Sequence, residues 1–60
     1  MQSTEDLYIS LENAVAEVSQ QLGSEEVEFV FSKYNATSIE DLDPADYSSV
    51  FSELEALQND

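Results

Sequence analysis

Ser24-Glu25-Glu26-Val27-Glu28-Phe29-Val30-Phe31-Ser32-Lys33-Tyr34-Asn35 decides the fold. Glu26 to Phe31 is the one stretch that tempts a strand reading, but its alternation of polar and apolar residues stops at Phe29, where Val30 and Phe31 follow as further apolar residues. The same residues also fit a helix, because Val27, Val30, Phe31 and Tyr34 follow the i, i+3, i+4, i+7 spacing of one helical face. The flanks favour the helix. Gly23 and Ser24 stand at its start, with Glu25 and Glu26 in the first turn, where negative charge suits the helix dipole. Lys33 falls in the last turn, and Asn35 tolerates the left-handed conformation that ends a helix. The reading is a helix near 25–34 capped by Ser24.

Upstream, Leu7, Leu11, Val15, Val18 and Leu22 recur at spacings of four, four, three and four, with Ala14 on the same face. Ser3 and Asp6 resemble a capping box, and Gly23 follows as the stop. These features predict a helix near 4–22. Downstream, Ser38 to Leu42 reads as one tight helical turn capped by Ser38, with Ile39 and Leu42 plugging the core. Asp43-Pro44-Ala45-Asp46 then combines a cap, a proline at the first helical position and an acid able to reach back. Leu42 and Tyr47 are spaced for a hydrophobic staple. A third helix near 44–57 turns Tyr47, Val50, Phe51, Leu54 and Leu57 inward. Three amphipathic helices on short connections predict an all-α, compact three-helix bundle forming a single domain over 1–60.

Fourteen carboxylates against one cation, Lys33, give a formal net charge of -13. Such a surface repels nucleic acid, anionic membranes and phosphorylated substrates, so none of these is an expected partner. Cysteine and histidine are absent, so disulfides, thiolate–metal sites and the usual catalytic triads cannot be assembled. A pair of carboxylates could share acid and base roles, but only in a cleft that a bundle this small has little room for. Neither an enzyme nor a small-molecule substrate nor a cofactor is expected. Asp41, Asp43 and Asp46 resemble the start of a calcium loop. Counted from Asp41, however, the sixth position is Asp46 instead of glycine and the twelfth is Ser52 instead of glutamate. Helix capping explains these acids better, and no metal is assigned. Gly23 is the one glycine, so there is no glycine-rich phosphate loop. The start of the chain lacks a basic and apolar leader, and the Asn35-Ala36-Thr37 sequon is read as chance, so a cytoplasmic location is expected.

Helical phase leaves three features facing away from the core. Phe29 lies opposite the Val27–Phe31–Tyr34 stripe. Ile9 and Ala16 lie behind the first helix. Ala45, Ser48, Ser49, Ser52 and Ala56 form an uncharged strip on the third. Lone exposed apolar residues and serines are ordinary on any surface. Taken together, these eight residues are the candidate contacts for another protein, either a second copy (a homodimer) or a basic protein. Phe31, Tyr34, Tyr47 and Phe51 are read as core packing and not as a ligand cage, and Tyr8 as an edge residue with its hydroxyl in water. The expected function is a protein–protein interaction module. The alternative is an acidic inhibitor whose carboxylates imitate DNA phosphates in the groove of a nucleic-acid-binding protein.

The run Lys33-Tyr34-Asn35-Ala36-Thr37-Ser38-Ile39-Glu40-Asp41-Leu42, followed by Pro44, Asp46, Tyr47 and the third helix, resembles short helical segments at the ends of some phage recombination and replication proteins. It covers under half of the chain and departs from those proteins in its single basic residue. The resemblance implies a bacterial or mobile-element origin.

Overall fold

The 24–32 segment is helical. The computed structural model describes residues 3–58 and holds α1 (Thr4–Leu22), α2 (Ser24–Ser32) and α3 (Tyr47–Gln58). Two 3₁₀ turns, Ile39–Asp41 and Pro44–Asp46, lie between α2 and α3. Among the described residues there is no strand. The chain is an all-α three-helix bundle, as the apolar spacing predicts. Its Cα radius of gyration is 10.5 Å, close to the roughly 10 Å of a compact chain this long.

The ends of α1 and α2 and the start of α3 have identifiable chemical causes. The Ser3 hydroxyl accepts the Asp6 N–H at 3.2 Å and starts α1. Between α1 and α2 the chain reverses on one residue. Gly23, at φ 95° and ψ 161°, donates its N–H to the Ser19 carbonyl and is also the residue that opens α2. Ser24 is therefore the first helical residue, not the expected cap. With one residue serving both ends, no position is left for a separate side-chain cap.

The other end of α2 comes earlier than expected, at Ser32. Ala36 N–H bonds the Phe31 carbonyl and Asn35 N–H the Ser32 carbonyl, both at 3.1 Å. Asn35 sits at φ 58°. This is the Schellman arrangement. Its usual apolar contact is supplied by Phe31 and Ala36, which are both buried.

In the first 3₁₀ turn, Ser38 makes no side-chain cap. Asp41 does the work by accepting from both the hydroxyl and the N–H of Thr37, the latter at 3.3 Å. These hydrogen bonds favour the ionised carboxylate and hold Asp41 below its usual range. Asp43 caps as the sequence predicts, accepting the Ala45 N–H at 3.0 Å. The turn that follows is 3₁₀ over Pro44–Asp46, so α3 begins at Tyr47 and not at Pro44.

The interior is Leu11, Ala14 and Val18 from α1, Val27, Val30 and Phe31 from α2, and Val50 and Leu54 from α3, closed below by Ala36, Leu42 and Tyr47. Leu7, Val15, Tyr34, Ile39, Phe51 and Leu57 pack around it, partly buried. Leu22 departs from the expected stripe and is 48% exposed. It is the last residue before the reversal at Gly23, where the chain turns away from the end of the stripe. Tyr8 packs edge-to-face on Tyr47, with centroids 6.1 Å apart. No polar or charged residue is buried among the described residues.

Candidate partner-contact surface

The most exposed large apolar side chain among the described residues is Phe29, at 63%. A helix turns about 100° per residue, so burying Val27, Val30 and Phe31 drives Phe29 outward. One turn on, the Lys33 ammonium sits 5.1 Å from the Phe29 ring centroid, within cation–π range. The same ammonium reaches the Glu53 carboxylate on α3 at 2.8 Å. The second Glu53 oxygen accepts from the Tyr34 hydroxyl. The Ser32 hydroxyl donates to the Phe29 carbonyl at 2.7 Å, occupying an acceptor that the ending helix leaves free. A ring that is free on one face is thus held in place from behind, across the seam of two helices.

Glu53 ties α2 to α3 and sets the local electrostatics. Hydrogen bonds from Lys33 and then Tyr34 hold its carboxylate below the usual glutamate range, against the opposing effect of partial desolvation. The Tyr34 phenol is raised, first by its bond to Glu53, then by burial and by the charges of Glu53 and Asp46, so it stays protonated and donating. Because the folded-state value of Glu53 is depressed, its stabilising contribution is complete above the unfolded-state value. It is lost as pH falls through the folded one. Glu53→Gln should therefore cost about 0.2–1 kcal/mol at pH 7 relative to Glu17→Gln, which removes the same charge from an exposed site. That gap should close between the ordinary glutamate value and the lowered one. Urea unfolding of both variants across that pH range measures it, and a gap that persists at low pH would contradict the assignment.

A shallow cleft of about 260 Å³ lies along the seam, lined by Glu26, Phe29, Val30, Lys33, Ala56 and Leu57 among others. Of the expected strip, Ala45 lies in the second 3₁₀ turn and not in α3, and Ala56 is the one member that shares this cleft with Phe29. All eight residues singled out from the sequence are exposed: Ile9, Ala16, Phe29, Ala45, Ser48, Ser49, Ser52 and Ala56. Of these, Phe29 and Ala56 meet in the seam cleft. Each outer face points away from a shared interior, so Ile9 and Ala16 behind α1, Phe29 behind α2 and the serines behind α3 face different directions. Lys33, Glu53 and Leu57 are among the contributors to the seam that were not predicted contacts. Lys33 could have been found from its position four residues after Phe29, on the same side of α2. Leu22 is a further exposed apolar residue, and its place beside the helix-ending glycine was the available sign.

No protein-family model, curated protein or solved structure matches this chain.

Proposed function

We propose that the chain is a non-enzymatic, cytoplasmic protein-contact module whose contact surface centres on Phe29 at the α2–α3 seam. The observation that carries this reading is an aromatic ring left 63% exposed and braced by the one lysine, which is itself paired to Glu53. Aromatic anchors of this kind dominate binding at protein interfaces. Ala56 and Leu57 extend the apolar ground beside it.

Capture on immobilised protein from the native host, read by mass spectrometry, tests the reading. Light scattering across dilution covers a second copy as the partner. Phe29→Ser is expected to lose the retained partner, or the self-association, by at least about tenfold, the effect of losing roughly 1.4 kcal/mol. Ile9→Ser should keep it. Equal retention by wild type and Phe29→Ser would overturn the proposal.

The acidic-mimic reading keeps one supporting observation. Most carboxylates are exposed, and Asp46, Glu53 and Glu55 are half-buried. Under that reading a captured basic partner is released steeply as salt rises. Retention unchanged at about 0.5 M salt would exclude it.

A further inference from the structure

On another side of the bundle, α1, α2 and the first 3₁₀ turn border an open cleft of about 370 Å³. Its lining follows from helical phase. Tyr8, Glu12 and Val15 form one row along α1, and Val27, Glu28 and Phe31 one row along α2. Ile39 and Glu40 close the end, so Val15, Val27 and Ile39 give an apolar floor edged by Glu12, Glu28 and Glu40. All three carboxylates are exposed. Among the described residues their charge meets no cation, because Lys33 is engaged with Glu53 on the other seam. Nor do any three acids among the described residues lie close enough to hold a metal ion. The complement of this cleft is an extended cation, not a point charge.

We infer that the cleft receives an arginine side chain from a basic segment of a partner protein, its methylene stem on Val15, Val27 and Ile39 and its extended guanidinium at the rim carried by Glu12, Glu28 and Glu40. Long cationic side chains bury their stems on apolar ground while the head stays at the wet rim. Tyr8, held edge-on by Tyr47, lines the same wall and offers its hydroxyl oxygen as an acceptor. This site goes beyond the Phe29 surface and does not depend on it.

A blocked pentapeptide alternating leucine and arginine is a suitable probe, with the same peptide carrying neutral citrulline as its control. Amide shifts of the full chain are followed by NMR during titration with each. The arginine peptide is expected to shift the amides of residues 12–15, 27–28 and 39–40. The triple variant Glu12→Gln, Glu28→Gln, Glu40→Gln removes every carboxylate at the rim and should weaken binding at least about tenfold. Glu5→Gln, Glu17→Gln, Glu25→Gln removes the same charge from residues that do not line the cleft, and should weaken binding less than about threefold. Phe29→Ser should leave it unchanged, which separates this test from that of the α2–α3 seam. Equal losses in the two triple variants, equal binding of the citrulline peptide, shifts centred on Phe29, or no binding at millimolar peptide would each overturn the inference. All substituted carboxylates are exposed, and circular dichroism confirms that each variant folds.

Discussion

Leu54→Ala is expected to remove most of the cooperative unfolding transition. Leu54 is fully buried, at 0% exposure, on the face of α3 that meets both other helices. Truncating a leucine in such a site costs about 2–5 kcal/mol, made up of lost burial and the cavity left behind. A sixty-residue chain has only about 3–9 kcal/mol to lose. Relief by collapse is limited, because the neighbouring Leu11, Val18 and Val50 are equally enclosed. Ile9→Ala deletes a similar apolar group from the outer face of α1, where Ile9 is 55% exposed. It should change stability by no more than about 0.5 kcal/mol. Urea titrations followed by helical circular dichroism compare the two. Similar midpoints for both variants would mean that the three stripes do not share one interior.

Gly23→Ala carries the second large effect, and its cause is purely conformational. At φ 95° and ψ 161°, Gly23 occupies a region that essentially only glycine enters. An added Cβ would meet nothing within 4 Å, so steric crowding by neighbours is not the issue. The expected cost is about 1–3 kcal/mol of backbone strain. D-alanine at position 23, introduced by chemical synthesis, reverses the handedness. The mirror image of the Gly23 conformation lies at the edge of the broad β basin open to ordinary residues. That chain should keep its unfolding midpoint while the L-alanine chain loses a substantial part of it. An L-alanine chain as stable as wild type would show that the reversal between α1 and α2 is made differently.

Which parts of the structure were readable in the sequence follows from the range of the interactions. The apolar spacing of Leu7, Leu11, Ala14 and Val18, and of Val27, Val30 and Phe31, is a local property of each helix, so the stripes and their inward faces were legible. The caps at Ser3 and Asp43 were legible for the same reason, since each bond closes within three residues. Ser24 misled because a good cap residue cannot serve where the preceding glycine is already shared by two helices. The seam partners were beyond local reading. Lys33 and Glu53 are twenty residues apart, and only the packing of α2 on α3 sets the ammonium between a carboxylate and the Phe29 ring. Helical phase pointed Phe29, Ile9 and the serines outward. It did not give the relative directions of the three outer faces, nor that Ala56 would share a cleft with Phe29.

The pair Phe29 and Phe31 tests the central claim most directly. In a strand, residues two apart lie on the same side, whereas in a helix they are about 200° apart. Phe29 is 63% exposed and Phe31 only 4%. Relaxation of their ring protons by a neutral gadolinium chelate in the solvent reports this difference without attraction to the acidic surface. The account predicts strong broadening of the Phe29 ring and a protected Phe31 ring. Equal broadening of the two would contradict the helix, the interior built on it and the exposed ring at the proposed contact surface.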